Sequence, residues 1–187
     1  MTLLFIGLVL WTFCHSLKRI FPAERHKLDM IAGVNGSKGI LAIGVIISLL
    51  LIVIGYRNSN YVLLYNLPNF TIYINNLLML VAVGLIGLMG GKSRLRRYVQ
   101  HPMLSSVIAW AVAHLAVNGD SSSVITFGIL GFWAGILITM INRTEATTTN
   151  LKNLSLAGDI RWGIITLVIF GIISYIHLLL GYSPFSS

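Results

Sequence analysis

Charge is scarce in this sequence: of 187 residues only 10% are Asp, Glu, Lys or Arg, against 56% hydrophobic, and the mean hydropathy is +0.86. A soluble domain carries about 25% charged residues. This chain therefore lacks the means to build a water-facing surface, which excludes an ordinary soluble domain and with it most soluble enzymes. The acids number five, namely Glu24, Asp29, Asp120, Glu145 and Asp159. No two of them share an apolar run, so a buried carboxylate pair for acid/base work has no support. The single cysteine, Cys14, excludes an internal disulfide and an all-thiolate metal site. A cleaved signal peptide is not expected, because Met1 to Phe5 holds no basic residue and the positive charges follow the first apolar stretch.

The 13 Lys and Arg give a net charge of +8, but they flank apolar runs, and so record membrane topology rather than affinity for nucleic acid. A hydrocarbon core of about 30 Å needs about 20 mostly apolar residues per helix. Cut at charges and turn residues, the sequence offers Thr2 to Leu17, Gly39 to Tyr56, about Thr71 to Gly90, Pro102 to Asn118, Ser122 to Ile141, and Trp162 to Tyr182. The expected fold is thus an all-α integral membrane protein, a bundle of six transmembrane helices forming a single domain over residues 1–187. A β-barrel would alternate with period two, whereas Ile43 to Ile54 is continuously apolar.

Basic residues fall in the loops after the first helix (Lys18, Arg19, Arg25, Lys27, Lys38), the third (Lys92, Arg94, Arg96, Arg97) and the fifth (Arg143, Lys152, Arg161). The even-numbered loops offer only Arg57. The odd loops are therefore expected to be cytoplasmic and both termini extracytoplasmic, in a bacterial inner membrane. Arg57 to Phe70, with Tyr61, Tyr65 and Pro68, reads as an interfacial segment. Asn118-Gly119-Asp120 reads as a tight link in which Gly119 ends the fourth helix in the left-handed region, making a hairpin with the fifth. Arg143 to Asp159, with Thr147, Thr148, Thr149 and Asn150, reads as a polar, mobile loop.

Two patterns fail on inspection. Gly87 to Ser93 superficially resembles a phosphate-binding loop, but Ile86 occupies the position of the first required glycine, and the stretch ends a helix instead of opening one. The cluster Arg94-Leu95-Arg96-Arg97-Tyr98 is accounted for by topology and by attraction to anionic lipids. Gly84 and Gly87 supply small residues for close helix packing.

The histidines carry the chemical information. His26 lies among charges and reads as solvated, whereas His15, His101, His114 and His177 belong to or border apolar helices, where an ionisable side chain is costly. At about 1.5 Å per residue, His15 and His101 lie near the cytoplasmic level and His114 and His177 at the outer level. Trp11-x-x-x-His15 and Trp110-x-x-x-His114 each put an indole and an imidazole on one helix face, one turn apart. Such a face suits the wall of a flat cofactor, and neutral imidazole is a common ligand for haem iron. Taken singly, each histidine reads first as a packing residue bonded to a neighbouring helix; the four together, with almost no carboxylate or thiol to compete, point to a shared ligand or substrate site. The repeated Trp-His spacing also invites an inverted repeat of three helices per half.

Several stretches resemble the NnrU family: His15-Ser16-Leu17-Lys18-Arg19, then Arg97-Tyr98-Val99-Gln100-His101-Pro102, then Trp110 to Asp120, Val124 to Gly128, and His177 to Pro184. The resemblance implies a small bacterial inner-membrane protein linked to denitrification, to nitrite and nitric oxide reduction. The family is also similar to zeta-carotene isomerase, a membrane enzyme that uses haem b. By that likeness His15 and His114 match the haem ligands, and His101 is a further functional position. Ala111 stands where the isomerase has a cysteine, so its redox-linked ligand exchange is not carried over. By depth, His114 with His15 would need a haem lying nearly flat, whereas His114 with His177 suits an upright one. Three readings stand: a haem b protein of nitrogen-oxide respiration, with His15, His101, His114, His177, Trp11 and Trp110 as its site; a haem-dependent isomerase of a carotenoid-like substrate; and a non-catalytic membrane partner or assembly factor of a nitrogen-oxide reductase system. The expected partners are membrane lipids, with no nucleic acid.

Overall fold

The computed structural model describes residues 1–144 and 153–185, and every named regular element is helical. The α-helices are α1 (Thr2–Ile20), α2 (Pro22–Arg57), α3 (Thr71–Gly87), α4 (Pro102–Leu115), α5 (Ser121–Thr144) and α6 (Leu156–Leu179), with a 3₁₀ turn over Arg94–Tyr98. α1, α2, α5 and α6 are long and apolar enough to cross a membrane, at 19, 36, 24 and 24 residues, while α3 and α4 are shorter, at 17 and 14. The mobility expected of Thr147, Thr148, Thr149 and Asn150 falls outside the described residues.

Burial is inverted relative to a water-soluble protein. Ser37, Ser48, Ser93, Ser106, Ser122 and Ser123 are buried, while Ile43, Leu50, Ile164 and Leu167 are exposed. Small residues inside and large aliphatic ones outside are what a lipid solvent selects, since tails are as apolar as leucine and helices gain by close backbone approach.

The chain forms two compact units. One comprises Met1–Leu63 with Asp120–Ile129, the other Leu64–Gly119 with Leu130–Ser187. α3 and α4, which a three-plus-three repeat assigns to different halves, pack together in the second unit.

In the first unit α1 and α2 run antiparallel. A Cβ on Gly7 would sit 2.7 Å from the Ile52 nitrogen, and one on Gly55 2.2 Å from that of Leu4. The stretch Pro22 to Lys38 corrects the expected loop: it is helical, interrupted at Gly33 with φ 72° and ψ 161°. Pro22 opens this helix with its fixed φ, and glycine allows the break. Asp29 holds the break together, accepting from Arg25 at 2.6 Å and from the Ser37 hydroxyl. At the far end Asp120 caps α5, its Oδ1 accepting the Ser122 and Ser123 amides at 3.0 Å each, while the Ser123 hydroxyl donates to Oδ2 at 2.5 Å. The Tyr56 hydroxyl lies 2.6 Å from the Ser123 oxygen.

In the second unit α3 runs antiparallel to both α4 and α6. The Ser106 hydroxyl donates to the Ala82 carbonyl at 2.8 Å, and the Trp162 indole to that of Gly84 at 2.7 Å. Gly84 and Gly87 make the room for Trp162, as their packing role anticipated. Leu104 packs with Ala134 and Leu137, which sets α4 against the later part of α5 as the expected hairpin. Gly119 is a correction. Its φ is not positive; the positive-φ glycines are Gly33 and Gly181. Gly119 is needed for close approach instead: its carbonyl accepts the Leu64 amide at 2.8 Å, and a Cβ there would lie 1.9 Å from the Tyr65 carbonyl oxygen.

Gly55→Ala should lower stability by about 1–3 kcal/mol through overpacking against Leu4. Gly39→Ala, with open space around it, should be neutral or stabilising by up to about 1 kcal/mol. Thermal unfolding of the two variants in detergent checks the contrast.

Candidate functional site

A histidine inside an apolar helix must place its ring N–H on an acceptor that the chain itself provides. His114 Nδ1 lies 2.9 Å from the Trp110 carbonyl oxygen, and His177 Nδ1 lies 2.8 Å from that of Ile173. A carbonyl only accepts, so Nδ1 carries the proton in both, and in the neutral ring Nε2 carries the lone pair. A metal-bound histidine shows this same arrangement, with one nitrogen donating to a carbonyl and the other turned to the ligand.

The topology brings these two imidazoles to one end of the second unit. α4 and α6 both oppose α3, so they run parallel, and each carries its histidine in its last turn. Both rings are half-buried. The carbonyl of His114 accepts the Asn118 amide at 2.8 Å and its side-chain Nδ2 at 3.0 Å. The Tyr65 hydroxyl, 2.6 Å from the Leu115 carbonyl, closes the same turn. α6 ends at Gly181 with φ 84°, where the Gly181 and Tyr182 amides bond the carbonyls of Leu178 and His177 at 3.1 and 2.9 Å. This paired pattern is a Schellman termination, and it fixes the turn that holds His177.

Trp110 stands beside His114 with ring centroids 5.2 Å apart and planes inclined at 57°. In the first unit Trp11 and His15 repeat the pattern: His15 Nδ1 is 2.9 Å from the Trp11 carbonyl, and the rings stack at 4.2 Å and 29°. The Trp11 indole N–H is buried and has no hydrogen-bond partner among the described residues. His101 lies at the opposite end of α4 from His114, where its Nε2 donates to the Asn142 Oδ1 at 2.7 Å, joining α4 to α5. His26 is exposed, as its charged surroundings suggested. Ala111 is buried with its Cβ 3.0 Å from a Cβ built on Gly131, so this position packs helices. Among the described residues no three His, Cys, Asp or Glu side chains group as a metal cluster.

Asp120 is the cap of α5 in the first unit. Its signal is an aspartate directly ahead of Ser121-Ser122-Ser123 and an apolar run.

Taken together, the inverted burial and the long apolar helices define a helical membrane protein. The chain belongs to the NnrU family: the family model, described as NnrU protein, matches residues 3–184. No curated protein and no solved structure matches it.

Gly181→Ala should cost about 1–2 kcal/mol, because a Cβ is strained in the left-handed region. Hydrogen exchange at Gly181 and Tyr182 should accelerate while that of α3 stays unchanged, and loss of protection in α3 instead would contradict this account of the α6 terminus.

Proposed function

We propose that this chain is a six-span bacterial inner-membrane protein that binds haem b through His114 and His177 and serves nitrogen-oxide respiration. The observation that carries the proposal is the matched pair of imidazoles: both sit in the last turn of helices that pack on α3, and both give Nδ1–H to the carbonyl four residues back. The donor set fits a b-type haem, which takes neutral imidazole nitrogen and needs no thiolate or carboxylate. When bound, the group supplies a redox-active iron whose potential depends on its axial ligands and on burial.

The protein's own contribution is positional. The carbonyls of Trp110 and Ile173 hold the imidazole tautomers and orient the rings, the Tyr65 and Asn118 contacts stiffen the turn of His114, and the Gly181 termination stiffens that of His177. Trp110 walls one side of His114, and the apolar helices exclude water. The link to nitrite and nitric oxide reduction rests on membership of the family.

Orientation with the odd loops cytoplasmic is supported within the second unit. Residues 64–75, 114–119 and 175–185 contain no Asp, Glu, Lys or Arg, whereas the Lys and Arg of this unit among the described residues lie at the other end of its helices. The short helices α3 and α4 are extended by the apolar turns Leu88–Met89 and Ala116–Val117, which brings them nearer to spanning length.

Optical spectra of the purified protein, oxidised and dithionite-reduced, test the proposal. A Soret band with sharp reduced α and β bands is expected, lost in His114→Ala and in His177→Ala and retained in His26→Ala. A colourless protein from haem-replete cells overturns haem binding. A spectrum lost in His15→Ala but kept in His177→Ala moves the second ligand to His15.

A further inference from the structure

One end of the second unit gathers its cations among the described residues: Lys92, Arg94, Arg96, Arg97, Arg143 and Arg161. The contacts between Lys92 and Ser155, Arg94 and Asp159, and His101 and Asn142 bring the ends of α3, α5 and the starts of α4 and α6 to this level. Asp159 is the only carboxylate of the unit among the described residues. It is already engaged, accepting from the Ser93 hydroxyl at 2.8 Å and from the Arg94 amide and Nε at 2.6 Å each. The Arg96 guanidinium turns back to the Val99 carbonyl. Lys92, Arg97 and Arg161 are exposed.

The segment bearing these charges is pinned in place. The Lys92 carbonyl accepts the Ser155 amide at 2.9 Å, and a Cβ on Gly158 would come within 2.2 Å of that oxygen, so only glycine lets α6 approach. A 3₁₀ turn repeats every three residues, which puts Leu95 and Tyr98 on one side and Arg94 and Arg97 on another. Tyr98 is 77% exposed and Leu95 40%, with the Arg97 guanidinium 6.0 Å from the Tyr98 ring centroid. An apolar, aromatic side beside a cationic one, at the end of apolar helices, matches the boundary between acyl chains and headgroups, where tyrosine settles and arginine meets phosphate.

We infer that the Lys92–Tyr98 turn, with Arg161 on the start of α6 that Gly158 and Asp159 tie to this turn, is a binding site for an anionic phospholipid headgroup. Lys92, Arg97 and Arg161 draw the phosphate, and Leu95 and Tyr98 rest against the lipid's glycerol and upper acyl region. Exposed Leu95 and Tyr98 favour a lipid over an acidic protein, because they border the hydrocarbon. The site is independent of any ligand at His114 and His177.

Native mass spectrometry of the full chain in detergent, titrated with phosphatidylglycerol or phosphatidylcholine, tests the inference. Retention of phosphatidylglycerol should exceed that of phosphatidylcholine. At about a fivefold effect per basic residue, Arg97→Gln and Arg161→Gln should each weaken it about fivefold and the double variant about 25-fold. Lys38→Gln, in the other unit, should leave it unchanged, and Lys92→Gln carries the comparison if Arg97→Gln fails to fold. Equal retention of the two lipids, or no loss in the double variant, overturns the assignment. Displacement by millimolar inorganic phosphate, or preference for polyglutamate, also overturns it, pointing to a soluble anion or an acidic protein.

Discussion

In hydrocarbon no solvent supplies a hydrogen bond, so a donor in a spanning helix is satisfied by the chain or not at all. The nearest acceptor is the carbonyl one turn back, and this protein uses it repeatedly. Thr12 reaches Leu8, Thr126 reaches Ser122 and Thr139 reaches Gly135, each within 2.9 Å, by the same geometry that His15, His114 and His177 use toward Trp11, Trp110 and Ile173. For a hydroxyl the consequence is only neutralisation of a polar group. For an imidazole it also decides which nitrogen carries the proton, so the requirement that makes histidine tolerable in an apolar helix also prepares it as a ligand.

Packing follows from the same solvent. With no gain from moving aliphatic side chains out of lipid, helices gain by approaching closely and by hydrogen bonds between helices. Gly7, Gly55, Gly84 and Gly158 each bring a backbone or an indole to a distance a methyl group would forbid. Ser106 and Trp162 then place donors on the carbonyls of Ala82 and Gly84. Rigid contacts along α3 hold α4 and α6 in parallel and keep their terminal histidines level.

Much of this was legible in the residues. Hydropathy and charge located the helices, Pro102 marked the start of α4, and one-turn spacing set Trp110 beside His114. The errors have local causes. The charged stretch Pro22 to Lys38 reads as a loop when charge is the cutting rule, yet Pro22 and Glu24 are good helix-start chemistry and Asp29 stitches the Gly33 break through Ser37. Gly119 has the sequence context of a left-handed terminator, but the pressure on it is the Tyr65 backbone, which lies 50 or more residues away in the chain and leaves no local signal. Gly181 does the terminating and lies in an apolar tail that hydropathy counted as helix. Depth along the helices already put His114 and His177 at one level; that α4 and α6 both pack on α3 is a tertiary fact with no local signal.

The helical state of Pro22 to Lys38 alters how the polar side of the protein meets its surroundings. Lys18, Arg19, Arg25, Lys27 and Lys38 offer five cleavage positions for trypsin. A protease needs an extended backbone, and this stretch is helical apart from the Phe21 link and Gly33, with its break clasped by Arg25, Asp29 and Ser37. Density of basic residues is therefore a poor guide here to susceptibility. The segment with the most cleavage sites is shielded by its own hydrogen bonds, and its digestion reports local unfolding instead of surface exposure.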